Sequence, residues 1–232
     1  MNSMNILLSE FENVLTDFNH SQAIGRIMTG DITVAHYKEI LRQVFHHTRE
    51  NPQIQALATI YFRGDRRKMV KNFYHHAMAE IGHDRLALND LKLLGEDVDL
   101  IPYENPLPAT TALLSFAFYQ INNLNPIGYL GYLFFLEFTP TQNGKNYLEL
   151  LKRIGVPSEA MTFLEDHAVI DISHNKMMES YVSELIKTED DLNSVIYAMQ
   201  VTGKLYADML QGAFDMVDRP KIRSMSSLEK KV

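Results

Sequence analysis

His167-Ala-Val-Ile-Asp171-Ile-Ser-His174 admits few structures. Read as a helix, its three chemically active side chains fall at i, i+4 and i+7, within roughly 60° of one another at about 100° per residue. Two imidazoles and a carboxylate then leave the helix along one stripe. Val169, Ile170 and Ile172 lie between them, so the stripe belongs to a packed helix rather than a solvated one. Two His and one carboxylate is a ligand set that leaves positions open on a non-haem iron. A solvated face shared with Glu165, Asp166 and Asn175 is the bland alternative.

Two further clusters have the same chemistry. Glu80-Ile-Gly-His83 has the Glu-x-x-His spacing found in carboxylate-bridged di-iron helical proteins. Alone, that spacing is common, and polar neighbours such as Asp84, Arg85 and Asp90 fit an exposed helix face equally well. Ala77, Gly82 and Ala87 are small, as close packing around a site requires. His76 shares the stripe and rivals Glu80. Glu80, with two oxygens able to bridge, is taken as the ligand, and His76 as a supporting or surface residue. Glu137 stands in the apolar run Leu133-Phe-Phe-Leu-Glu137-Phe. A carboxylate there costs several kcal/mol unless it is paired or metal-bound. Together the clusters supply three carboxylates (Glu80, Glu137, Asp171) and three imidazoles (His83, His167, His174), the inventory of a dinuclear centre. His46, His47 and Glu50 form a fourth polar group, read as a supporting shell, a supplementary ligand or the end of an exposed helix.

Composition narrows the rest. The 232 residues suffice for one sizeable core. There is no cysteine, which excludes cysteine-ligated clusters, Cys-based zinc sites and cysteine nucleophiles. Any metal must be held by His, Asp and Glu, a set suited to iron, with manganese as the alternative. A net charge of −7 disfavours nucleic acid as a partner. No apolar run reaches the roughly 20 residues of a membrane span, and the first residues lack a signal peptide's basic start, so a cytoplasmic location away from membranes is expected.

The apolar periodicity is helical nearly throughout. Helices are expected over about 5–18, 20–29, from Asp31 or Thr33 to Asn51, 52–62, 66–94, 109–122, from Asn125-Pro126 to Pro140, 145–154, a long segment from Pro157, and 189–216. The last helix closes a single domain over 1–217. A basic tail follows over 218–232, read as solvated.

Over about residues 20–215 the chain resembles the haem-oxygenase-like di-iron oxidases and oxygenases. These share an all-α superfamily with thiaminase II and pyrroloquinoline-quinone synthase. The likeness rests on Ala79-Glu-Ile-Gly-His83-Asp-Arg-Leu-Ala-Leu-Asn-Asp-Leu91, on Gly128-Tyr-Leu-Gly-Tyr-Leu-Phe-Phe-Leu-Glu137 and on His167-x-x-x-Asp171-x-x-His174. The resemblance implies a single-domain helical bundle holding two iron ions per chain, with Glu80, His83, Glu137, His167, Asp171 and His174 as ligands. It also implies O2-dependent oxidation of a small molecule, with walls such as Phe116, Phe134 and Phe138 excluding water. The pattern departs at one point: many members place the first glutamate further upstream or add one from the first core helix, where this chain has Phe73, His76, His46, His47 or Glu50. A thiaminase needs a cysteine nucleophile, which is absent. A haem oxygenase needs a proximal histidine, for which His20 or His36 are the candidates. A metal-free oxidase of the quinone-synthase type and a non-catalytic interaction protein on the same scaffold are the rival readings. A symmetric homodimer is the expected assembly.

Overall fold

The computed structural model describes residues 2–219, except the side chains of Thr141, Asn143 and residues 168–175. Ten α-helices and no strand occur among the described residues, which settles the all-α expectation. They are α1 (Ser3–Asn19), α2 (Gln22–Thr29), α3 (Val34–Thr48), α4 (Asn51–Ala58), α5 (Val70–Glu80), α6 (His83–Leu93), α7 (Pro108–Asn123), α8 (Tyr129–Arg153), α9 (Thr162–Leu185) and α10 (Glu189–Asp218). Short 3₁₀ turns join several of them, the longest being Gly64–Met69 before α5.

Two of these boundaries differ from the expectation, and both bear on the site. The helix expected over 66–94 is broken at Ile81-Gly82. Ile81 is extended and Gly82 takes φ +106°, a conformation that glycine adopts without the usual Cβ penalty. A Cβ on Gly82 would meet nothing within 4 Å, so this glycine serves the turn and not the close packing read from the sequence. Glu80 therefore ends α5 and His83 opens α6. In contrast, the stop expected at Pro140 does not occur. α8 runs through it to Arg153. Proline removes one helix hydrogen bond, while the Thr139 hydroxyl donates to the Phe135 carbonyl one residue away from the interruption at 2.6 Å.

α10 is the central post, packed against α1, α3, α7 and α8, while α8 also lies along α9. Its N-terminus is fixed by a capping box between Thr188 and Asp191. Asp191 also accepts from the backbone N–H groups of Lys187 and Thr188 and from Asn125, and it pairs with Arg66. The α8–α10 crossing is close because Gly131 faces the backbone of Val195 and Met199. At its far end α10 continues to Asp218, which takes Arg26 at 2.6 Å and His36 at 2.9 Å. Residues 220–232 lie outside the described residues.

The main core joins α1, α2, α4, α5, α7, α8, α9 and α10, and includes Leu7, Ile24, Phe73, Phe134, Phe135, Tyr181 and Phe214. A second cluster, with Tyr37, Leu41, Phe45, Ala87, Leu91 and Met161, packs α3 against α6. Buried polar side chains occur on α3, α5, α6 and α8, among them His47, His76, His83 and Glu137.

Candidate metal centre

His76 and Glu80 come from the last two turns of α5, His83 from the first residue of α6, Glu137 from the middle of α8, and His167 from the second turn of α9. Glu80 Oε2 is 3.2 Å from His83 Nδ1, and Glu80 Oε1 is 3.8 Å from His76 Nε2. His76 Nε2 is in turn 3.1 Å from Glu137 Oε1. The rings of His83 and His167 meet edge to face with centroids 4.8 Å apart. Donor atoms therefore gather in two trios, Glu80–His83–His167 and His76–Glu80–Glu137. Within each trio the donor atoms lie within 4.8 Å of one another. Glu80 belongs to both and sends one oxygen towards each.

Four of the six residues expected from the sequence, Glu80, His83, Glu137 and His167, are thus brought together. The side chains of Asp171 and His174 lie outside the described residues. Of the two readings of His76, as a supporting or a surface residue, the second is corrected: the side chain is 1% exposed and faces Glu137. The sequence signal was its position four residues before Glu80. Glu137 is buried within its apolar run rather than turned to solvent.

Electrostatics within the cluster oppose one another. The Glu80 carboxylate beside His83 raises that imidazole's pKa against the effect of burial. Burial, reinforced by His83, lowers that of His167. A carbonyl can only accept, so His167 Nδ1, 2.7 Å from the Phe163 carbonyl, carries the proton. Its Nε2 is left with the lone pair a metal requires, and such outer bonds fix the orientation of a ligating imidazole. Stacking on Phe163, with centroids 4.1 Å apart, holds the ring further.

Asp90 was read only as part of a polar face. It is fully buried and accepts from Thr162 N, Thr162 Oγ1 and Phe163 N at 3.1, 2.6 and 2.9 Å. A residue of α6 thereby caps α9 and ties the helix of His83 to that of His167. Nothing local to Asp90 announces this, because its partners lie 72 residues away.

The fourth polar group divides. His47 is buried and makes a 2.7 Å hydrogen bond with the Tyr132 hydroxyl, which also reaches Asn51 at 2.8 Å. Burial, with some repulsion from His167, pushes its pKa down to about 4. His46 is buried beside Phe45. Glu50 pairs with Arg49 at 3.0 Å. Neither His46 nor Glu50 joins the two trios. Of the haem-ligand candidates, His36 has both ring nitrogens engaged, by Thr33 and Asp218.

A cavity of about 190 Å³ opens onto Glu80, Glu137, His167 and His47. Its walls are Ile24, Ile27, Leu41, Leu133, Leu150, Phe163 and other apolar side chains of α2, α3, α8 and α9, and among the described residues no Lys or Arg lines it. Of the aromatic walls expected, Phe134 and Phe138 instead stack on each other and against Phe11 of α1, and Phe116 lies against Tyr197. Phe135 and Phe163 take their place.

The donors are nitrogen and oxygen only, converge from separate helices and include a carboxylate placed between two groups. Such a set fits iron or manganese. The helical architecture is that of the haem-oxygenase-like proteins. A protein from Shewanella denitrificans, described as a domain of unknown function with a heme oxygenase-like fold, superposes with TM-score 0.77 at 27% identity, over 92% of this chain and 91% of that one. A TenA homologue from P. horikoshii superposes with TM-score 0.72 at 12% identity, over 92% and 99%. A CADD-like protein of unknown function from Nostoc punctiforme gives 0.60 at 17%, over 91% and 96%. No curated protein sequence matches the chain. The model of the iron-containing redox enzyme family matches residues 38–207, and the chain belongs to that family. No helix among the described residues is long and apolar enough to cross a membrane.

Proposed function

We propose that the protein is an O2-dependent non-haem oxidase or oxygenase that holds two iron ions and acts on a largely apolar small molecule. One observation carries the reading: two trios of largely buried donors share Glu80 and open onto an apolar cavity. His76 and Glu137 would hold one ion, His83 and His167 the other, with Glu80 spanning both; Asp171 and His174 are assigned to the same centre by their spacing along α9. Reduced iron supplies the electrons for oxygen chemistry, a task proteins delegate to a cofactor.

The chain's own residues do the rest. Phe163 fixes the His167 ring through its carbonyl and its own ring. The aliphatic walls exclude water and take the apolar body of the substrate, in a cavity larger than the roughly 150 Å³ engineered void that binds benzene in another protein. With no Lys or Arg among the described residues of the lining, any anionic group on the substrate is directed at the metal end. His47 is neutral at physiological pH and touches Tyr132, so it can hold or pass a proton at the cavity wall.

Anaerobic loading with Fe(II) should give about two irons per chain, as one dinuclear site requires. Optical and Mössbauer spectra on exposure to O2 should show a coupled pair. His76→Ala should leave about one iron, and Glu80→Ala should disturb both. Protein that keeps no iron after desalting, or variants that bind as much as wild type, would overturn the assignment. The metal-free quinone-synthase type of chemistry would then be the reading to pursue.

A further inference from the structure

The segment leading into the helix of His76 and Glu80 is basic, although the chain as a whole is acidic. Residues 63–71 hold Arg63, Arg66, Arg67, Lys68 and Lys71, five of the 22 Lys and Arg residues, against one acid, Asp65. Arg66 is spent on Asp191 and Lys68 on Glu184. Arg63, Arg67 and Lys71 are exposed and have no ion pair among the described residues. They rim a groove floored by Thr59, Phe62 and Val70. Beside them Ile60, Tyr74 and Met78 are 47%, 47% and 58% exposed. An apolar centre rich in Tyr and Met with an Arg-containing rim is the composition of a protein-binding surface.

A second observation links this groove to the metal centre. Phe62, on the groove floor, meets Phe73 edge to face at 4.8 Å. Phe73 lies 4.5 Å from Tyr181, and Tyr181 stacks on His76 at 6.1 Å. An aromatic chain therefore runs from the basic surface to the imidazole beside Glu137.

We propose that this groove docks a small acidic one-electron carrier protein, and that the Phe62–Phe73–Tyr181–His76 chain is the route its electrons take. The inference rests on the iron redox reading given above. Two reduced carriers, each oxidised by one electron, would return two ferric ions to the ferrous state, so the electrons balance without any further reductant. Charge complementarity selects the partner: the rim repels other basic surfaces and attracts an acidic one, chiefly by raising the association rate.

A [2Fe–2S] ferredoxin serves as the probe, with binding measured by calorimetry at low and high salt. Wild type should bind it, more weakly as salt rises. Arg67→Glu with Lys71→Glu, both exposed and remote from the ligands, should weaken binding about tenfold and flatten the salt dependence. Reduction of the iron-loaded protein by ferredoxin should slow in step, while reduction by dithionite stays unchanged. Phe73→Leu should leave the Kd intact and slow only the ferredoxin-driven transfer, with circular dichroism checking its fold. Failure of ferredoxin to bind, or binding indifferent to the charge reversals, would overturn the proposal. So would a stronger preference of the same surface for duplex DNA, or a homodimer in sedimentation that the reversals dissociate. Calorimetry on metal-free protein reads docking alone. Ferredoxin binding by a protein that takes up no iron would therefore refute the iron reading and leave the docking surface standing.

Discussion

Replacing Gly131 by alanine tests whether the α8–α10 crossing positions the helix that bears Glu137. A Cβ at Gly131 would lie 2.0 Å from the Val195 carbonyl oxygen, 2.6 Å from Met199 N and 3.0 Å from the Val195 carbonyl carbon. Ordinary contact begins at 3.4 Å, so the two helices must part by on the order of 1 Å. The atoms struck are backbone, and α10 is held from its other sides by α1, α3 and α7. No rotamer change relieves the clash. Overpacking of this kind costs about 3 kcal/mol, at the upper end of the usual range. Removing a helical glycine returns about 1 kcal/mol. The net loss is about 2 kcal/mol, or a fall of roughly 4–8 °C in Tm for a domain of this size. Gly25→Ala in α2 is the control, because nothing lies within 4 Å of its Cβ and only the propensity gain remains. It should raise Tm by roughly 2–4 °C. Urea and thermal melts of the metal-free variants measure both, and iron stoichiometry should fall in Gly131→Ala alone. A Gly131→Ala protein as stable as Gly25→Ala would refute the reasoning.

Two further outcomes are expected. His47 has its folded pKa depressed to about 4 against 6.5 for an ordinary histidine. Below pH 6.5 the unfolded chain therefore binds a proton the native state refuses. Stability should fall as pH drops from 6.5 to 4, by up to about 3 kcal/mol in all. His47→Gln, which cannot titrate, should lack this component, and metal-free wild type and variant whose stabilities run parallel over that window would contradict it. Asp90→Ala should cost about 2 kcal/mol in urea melts by leaving the N–H groups of Thr162 and Phe163 without their cap. Asp90→Asn should cost less, and equal stabilities for the alanine variant and wild type would show that α9 does not depend on this tie.

His167, the pair Glu80/His83 and the isolated Glu137, which the structure brings together, were legible because helical periodicity is local. A side chain's face is set by its neighbours three and four residues away. That periodicity, with the missing cysteine, determined an all-α chain whose metal chemistry must use His, Asp and Glu. Periodicity could not say where a helix yields to its surroundings. Pro140 was read as a stop and lies within α8, because packing on α9 and α10 outweighs one lost hydrogen bond. Gly82 was read as a packing residue and is a turn, because its φ is decided by how α6 leaves α5. Nor could local pattern rank His76 against Glu80. Only the approach of α8, which sets Glu137 3.1 Å from His76, gives both a place. The Asp90 cap, the His47–Tyr132 bond and the aromatic chain behind the basic groove likewise join residues 72, 85 and up to 108 positions apart. Such contacts follow from the packing of whole helices, to which sequence separation is no guide.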